Sequence, residues 1–381
     1  MWKPKEIFIH NEVKNDPVAQ NILAQCPDAI VHFVSSGLVN DIKAASEVLK
    51  GKSSLLDQVI AGKDIVYVAP VGQCDVDYFH MPDERMNCPA FARLKHASNG
   101  CFYKCDWCYL KLTYRTSRPY ITIKAEHEKL RHLTAKFIAK YSFPFMFNSG
   151  ELADSLSLEH LSMFGQDFIP WFGRQERGYL FMLTKSDNVN HILDLEHNGH
   201  TVVAWSMNEP SVSRRFEIGA PPFERRLAAA QKVQQAGYPV RVRLDPIVPF
   251  EGWREAYAET IRRIYEVLDP QRITIGTLRF EEGFYRQRNT IFATGSDILQ
   301  YVNRMCPMLP LMTIKDEKGK VKKSDGKYSF PEQERVDIFK FATAEIRKYS
   351  QAPIALCKEA TSVWHAVGLE AEKNQCVCQW N

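Results

Sequence analysis

The sequence predicts an α/β fold built as a full or partial (β/α) barrel of the TIM type, with six or so units. Three observations predict it. Apolar, β-rich runs alternate with segments of helical spacing. Those segments are long enough to cross over between parallel strands. Polar residues stand at the ends of several runs, where such barrels carry their chemistry. The domain reading is an N-terminal α/β extension over 1–92, a barrel core over 93–300, and a C-terminal region over 301–381 that adds a β-hairpin and a closing strand and helix.

The elements follow in order. The first 90 or so residues are irregular apart from a short strand at Asp64 to Pro70. Leu94 to Ala97 is a candidate first barrel strand. Strands then follow at Phe143 to Ser149, Tyr179 to Thr184, Thr201 to Ser206, Val240 to Val248 and Ile273 to Leu278, with a further run at Pro353 to Cys357. Helical spacing fills the gaps at Glu126 to Tyr141, Ser157 to Phe172, Asn188 to His197, Phe223 to Ala236 and Arg254 to Leu268. Gly237 and Pro239 give the helix at Phe223 a stop signal. The rim residues are Glu151, Lys185, Ser206 and Asp245. Any one of them alone is adequately explained as a polar loop residue, and Asp245 beside Arg241 and Arg243 also reads as an internal ion pair.

Lys315 to Lys327 is lysine-rich and carries Asp-Glu-Lys-Gly and Ser-Asp-Gly turn signals, so it reads as a basic β-hairpin or as a solvated loop. Hydrophobic residues make up 45% and charged residues 25% of the 381, which suits a globular protein with a real core. The formal charge of +4 permits a nucleic-acid partner without indicating one. No signal peptide is legible, and no apolar run approaches the ~18 residues of a membrane span. The expected location is the cytoplasm, where the ten cysteines would stay reduced.

Three of those cysteines fall within eight residues. Cys101, Cys105 and Cys108 have the spacing C-x3-C-x2-C, unlike the paired cysteines of zinc sites. Three thiolates hold three irons of a 4Fe–4S cluster and leave the fourth open to an exogenous ligand. S-adenosylmethionine (SAM) fits that position through its amino and carboxylate groups, and one electron from the cluster then yields methionine and a 5′-deoxyadenosyl radical. Trp107, just before the third cysteine, fits a role shielding the cluster and the adenine. A zinc knuckle completed by Cys88 or His96 is the competing reading.

The sequence also resembles a known family. Cys105-Asp106-Trp107-Cys108-Tyr109-Leu110, continuing to Arg118-Pro119-Tyr120-Ile121, is similar to the cluster loop of the spore photoproduct lyase family within the radical SAM superfamily. So are Thr184-Lys185 with Leu193 to Thr201, Phe216-Glu217 through Pro222 to Arg226 and Ala236 to Pro239, Gly252-Trp253, and Leu356-Cys357-Lys358-Glu359. The resemblance runs from about Asp64 to Trp364. It implies a partial (β/α)6 TIM-type barrel of the radical SAM type, a 4Fe–4S cluster on the three cysteines, and SAM contacts from Lys185 and Ser206. It also implies a hydrogen relay at Tyr109 and action on a thymine-derived base in DNA. Lys320, Lys322, Lys323 and Lys327 would then form a wedge that helps extrude bases. A reducing partner such as flavodoxin or ferredoxin is implied as well.

One position departs from the pattern. The lyases carry a hydrogen-donating cysteine at the end of the second strand, where this chain has Glu151. A carboxylate O–H bond is too strong for a thiol's role, although Glu151 can move a proton or hold a substrate amine. The expectation is therefore an isomerase, a mutase or another radical rearrangement on a modified pyrimidine, with Glu151 or Asp245 binding a polar or cationic substituent. Two alternatives remain. One is a dimer-splitting repair lyase whose donor has moved to Cys357 or to Cys376 and Cys378. The other is a non-catalytic iron–sulfur protein that binds nucleic acid.

Overall fold

The computed structural model describes residues 1–36, 39–81, 85–113, 118–293, 295–309, 313–315, 321–323 and 326–380; the side chains of Val39 and of 313–315 and 321–323 are not described. Its main sheet has seven parallel strands: β1 (Phe91–Leu94), β2 (Phe145–Asn148), β3 (Gly178–Thr184), β4 (Thr201–Met207), β5 (Val240–Ile247), β6 (Ile273–Thr277) and β7 (Ile354–Leu356). They lie in sequence order, and an antiparallel strand, Val76–Phe79, closes the β1 edge. The sheet order ends at that strand and at β7, which makes the barrel partial. Crossover helices follow most strands: α1 (His127–Lys140), α2 (Phe164–Phe172), α3 (Phe223–Gln235), α4 (Trp253–Val267) and α5 (Glu332–Arg347).

Period-two patterning with both faces buried explains the strands. In β5, Val240, Val242 and Leu244 join the main core under the helices, while Arg241, Arg243 and Asp245 point the other way. In β4, Val203 and Trp205 take the outer core, and Val202 and Ala204 turn inward against Met146, Phe181 and Val377. The inward series thus climbs from apolar residues to Ser206 and Asp245. Val377 comes from the C-terminal tail, whose carbonyls at Val377 and Gln379 accept from Arg241, while Trp380 stacks on Tyr179.

Two expected elements differ. Asn188 to His197 forms turns rather than a helix. Side-chain bonds take over its backbone: Thr184 and Ser186 cap Ser186 and Asn188, and the Asn188 amide reaches Leu156 and His160. The helix expected over 157–172 breaks at Met163, which is left-handed with φ 53°. There Glu159 accepts from the Gly165 and Gln166 amides, and a Cβ on Gly165 would lie 2.9 Å from Ile192.

The extension drawn at 1–92 does not hold its whole sheet. That second sheet takes Ile30–Val34, Glu6–His10 and Ile65–Ala69, then Ile121–Lys124 and Ala97–Ser98. The strand after β1 therefore crosses into the second sheet, and the cysteine loop hangs between the two. Beneath it, His96 is 2% exposed, stacks at 4.0 Å on Phe164, and has an Nδ1 atom with no partner. Burial pushes its pKa down to about 3. Unfolding restores an ordinary histidine, which binds a proton below about 6.5. The His96 contribution to stability is thus lost as pH falls from about 6.5 toward 3, by about 1.4 kcal/mol per pH unit. We expect His96→Phe to flatten that part of the profile. Urea denaturation of both proteins at pH 5 and pH 7 checks it, and equal slopes would refute it.

Candidate active site

The cysteine loop is anchored from three sides. Asn99 turns the chain with φ 48°, and its Oδ1 accepts from the buried Lys63, which also donates to the Cys101 carbonyl at 2.6 Å. Gly100 bridges to the loop after β2, through Gly100 N to Leu152 O and Asp154 N to Gly100 O. A Cβ on Gly100 would stand 2.5 Å from Ala97 and 2.8 Å from Ala153, so only glycine permits that approach. On the far side, Lys104 N and Asp106 N donate to Ile218 and Phe216, at the end of the helix Pro210–Phe216.

The three cysteines face a cavity of about 670 Å³ at the C-terminal ends of the strands, whose wall also includes Trp107, Tyr109, Glu151, Lys185, Ser206 and Asp245. All nine residues expected from the sequence are therefore brought to one place. Trp107 packs on Phe216 at 5.4 Å, and Tyr109 is 43% exposed toward the opening. Burial pushes the Cys105 thiol up to about 12 and raises Cys101 as well. His96 is absent from this wall and is held in the core, so it stands apart from the thiols.

Lys185 is held by its own chain. Its amide donates to Asp154, and its ammonium stands 3.6 Å from Glu217. Glu217 also binds Arg226 at 2.6 Å and accepts from Ser213. Two cations thus share the Glu217 carboxylate, and of the two only Lys185 reaches the cavity wall. Burial is the largest influence on Lys185 and opposes its charge, but Glu217 together with Cys105 and Cys101 outweighs it, and the pKa lies above the ordinary value. Arg226 also donates to the Ser206 carbonyl, which fixes the end of β4.

Two acidic residues have different partners from those expected. Asp245 is bracketed by Arg243 and Arg279, with bonds of 2.7–3.0 Å. Burial alone would raise its carboxyl; Arg279 and Arg243 hold it well below the carboxylate range. Its lone pairs are committed to this internal ion pair, which corrects the expectation that Asp245 binds a substrate cation. Glu151 stands 3.7 Å from Lys358, a residue with φ 50° just beyond β7. That pair is one-fifth exposed and faces the cavity. Glu151 raises the Lys358 pKa.

Lys327 is also corrected. It is buried, its pKa lowered by that burial, and it pairs with Glu281. It belongs to Lys327–Ser329, paired with Arg279–Glu281 and Cys306–Pro307, so it cannot form part of a solvent-facing wedge. The hairpin itself pairs Thr313–Lys315 with Val321–Lys323. Lys320 lies outside the described residues, as do the side chains of Lys322 and Lys323.

The sequence reading missed Asp154, Glu217 and Arg226, and the cavity residues Arg93, Arg279 and Lys358. Arg93, Arg279 and Lys358 lie in or just beyond barrel strands, the positional signal that picked out Glu151 and Lys185. Asp154 binds the Thr184 hydroxyl, the Lys185 amide and the Leu156 and Ser157 amides, so it sets the shape of the rim. Its only sequence signal is that Ala153-Asp154, with Glu159-His160-Leu161, resembles a block of the spore photoproduct lyase family.

Among known proteins, the spore photoproduct lyase of Bacillus subtilis is 35% identical over 173 residues, 45% of this chain and 49% of that protein. The Clostridium acetobutylicum lyase is 25% identical over 255 residues, 66% of this chain and 72% of that protein. The aligned part spans about half the length of the Bacillus and Geobacillus relatives. In structure, spore photoproduct lyase complexed with dinucleoside spore photoproduct superposes with a TM-score of 0.76 at 22% identity, covering 93% of this chain and 98% of that one. A double mutant of that lyase with bound AdoMet and dinucleoside spore photoproduct matches at 0.75 and 21% over the same shares. These two likenesses establish the fold. The spore photoproduct lyase family model matches residues 89–356, from the start of β1 through β7, and the chain therefore belongs to that family of the radical SAM superfamily.

Proposed function

We propose that this protein is a radical SAM enzyme that acts on a thymine-derived or modified pyrimidine base in DNA, as an isomerase, a mutase or a related radical rearrangement. One observation carries the reading: Cys101, Cys105 and Cys108 share a cavity with Lys185, Ser206 and the Glu151–Lys358 pair. The donor set fits a 4Fe–4S cluster and SAM, since three thiols and the Lys185 ammonium line one cavity. When bound, these cofactors supply a 5′-deoxyadenosyl radical. Solved relatives that hold AdoMet and dinucleoside spore photoproduct support both ligand classes.

The protein's residues have separable roles. The three thiolates hold the cluster. Lys185 draws in the SAM carboxylate, with Glu217 fixing its direction, and Ser206 offers a hydroxyl to a polar edge. Trp107 covers the cluster side, and Tyr109 stands at the opening, between the cofactor and an incoming base. Glu151 stands 3.7 Å from Lys358, where its carboxyl group can orient a polar substituent or move a proton. It cannot return a hydrogen atom to carbon. That absence at the second strand end supports a rearrangement in which the product regains its hydrogen without a protein thiol there. The basic hairpin at 313–323 is the proposed DNA contact.

A second reading has its own observation. Cys88, Cys357, Cys376 and Cys378 line the same cavity, and Arg243 donates to Cys357 Sγ at 2.7 Å. These thiols are candidate donors for a dimer-splitting lyase. Anaerobic reconstitution with dithionite, SAM and modified or irradiated DNA, followed by nucleoside mass spectrometry, separates the readings. Regeneration of SAM is expected for the rearrangement, together with a loss of about 10²–10⁴-fold in Glu151→Ala if it moves the proton. If dimer splitting survives in Glu151→Ala and stops in Cys357→Ala, the lyase reading wins.

A further inference from the structure

A second, smaller cavity of about 130 Å³ lies on the other side of the cysteine loop. Cys108 and Tyr103 are the residues it shares with the large cavity. Cys108 is therefore approached from two directions. On the reading above, SAM and a base fill the large cavity during turnover. An electron then needs a route that does not cross them, and the small cavity offers one ending at a cluster ligand.

The charge around this cavity is predominantly positive. Lys63, Lys104 and Lys111 line it, against the carboxylate of Asp106 alone. Asp106 is already matched, 3.7 Å from the Lys111 ammonium. Lys104 is exposed, and its backbone is pinned by the Ile218 carbonyl, so its side chain projects from a fixed point on the loop. Exposed apolar residues adjoin it. Ile60, on the helix Leu55–Ala61, is 39% exposed and lines the cavity, and Ile218 is 46% exposed. A small apolar centre with a cationic rim suits brief, electrostatically steered encounters between proteins. The acid at Asp297 nearby is cancelled by Arg215, at 2.7 Å.

We propose that this face, centred on Lys104 and Ile60, is the docking site for an acidic one-electron carrier protein, which delivers its electron through the Cys108 side of the loop. The step transfers one electron from the reduced carrier to the cluster and moves no atoms. The proposal rests on the reading that the three cysteines hold a reducible cluster.

The test uses the reconstituted protein with a bacterial flavodoxin and its NADPH-dependent reductase. Lys104→Glu and Ile60→Glu are each expected to weaken flavodoxin binding about tenfold or more in a fluorescence titration at low salt. Carbodiimide cross-linking is expected to join Lys104 to a flavodoxin carboxylate. Flavodoxin-driven 5′-deoxyadenosine formation should fall in step, while the dithionite-driven rate and the cluster absorbance stay at wild-type values. Wild-type flavodoxin affinity in both variants would overturn the docking site. Weaker binding of duplex DNA, with flavodoxin affinity intact, would assign the face to nucleic acid instead. If the wild-type protein forms no 5′-deoxyadenosine even with dithionite, the cluster reading falls first and this proposal falls with it.

Discussion

Cys105→Ala is expected to leave a folded protein that neither holds a 4Fe–4S cluster nor cleaves SAM, with activity at background. Among the three thiols Cys105 is the buried one, at 7% exposure, on a turn closed by Cys108 N to Cys105 O. Removing it takes away one of the three proposed iron ligands and leaves no spare cysteine on that segment. The loop itself stays tied by Lys63, Gly100, Lys104 and Asp106, none of which bonds to the Cys105 side chain. The fold should therefore survive, and the thermal midpoint should move by only a few degrees, as for a modest core truncation. Iron and sulfide analysis, the visible absorbance after anaerobic reconstitution, and 5′-deoxyadenosine yield check it together. A variant that keeps full iron content and SAM cleavage would show that the cluster is held elsewhere. The same result would remove the ground for reading the cavity as a radical site.

The barrel was legible because parallel strands buried on both faces leave runs such as Thr201 to Met207, in which every residue is buried. The gathering of three thiols on one cavity was legible because Cys101, Cys105 and Cys108 are local in sequence. Partners that come from far along the chain were not. Glu217 acts on Lys185 from 32 positions away, and Lys358 reaches Glu151 across the gap between β7 and β2. Neither pairing has a sequence period. The tail shows the same limit. Cys376 and Cys378 read as a terminal pair of no stated place, yet Val377 enters the apolar interior of the barrel and carries both thiols to the cavity. The hairpin was read one strand too far, because Lys327 and Tyr328 share its lysine-rich, turn-rich composition but pair with Arg279–Glu281 instead. Composition identifies a turn, whereas partner choice depends on which edge is open in three dimensions.

Asp245→Asn should produce the largest loss of stability of any single change at the rim, about 3–5 kcal/mol. The carboxylate is largely withdrawn from solvent, 8% exposed at the cavity wall, and receives Nε and Nη2 of Arg243 and both Nη atoms of Arg279. An amide of the same shape keeps some of these contacts but supplies no charge, and half of its polar end is a donor facing other donors. Two buried guanidinium groups would then lack a counter-charge. The site cannot relax easily, because Gly276 stands against it: a Cβ there would meet Asp245 at 2.5 Å and Arg279 at 2.7 Å. Arg243 also holds Cys357, so the perturbation should reach the cavity wall and lower activity as well as stability. Chemical denaturation of the wild type and the variant near pH 7 measures the loss. Asp245→Asn combined with Arg279→Met should recover part of it, since one of the orphaned charges goes too. Unchanged stability in Asp245→Asn would mean that the carboxylate is not committed to its arginines. It would then be free to face a cationic group on the substrate, the role its place on the fifth strand first suggested.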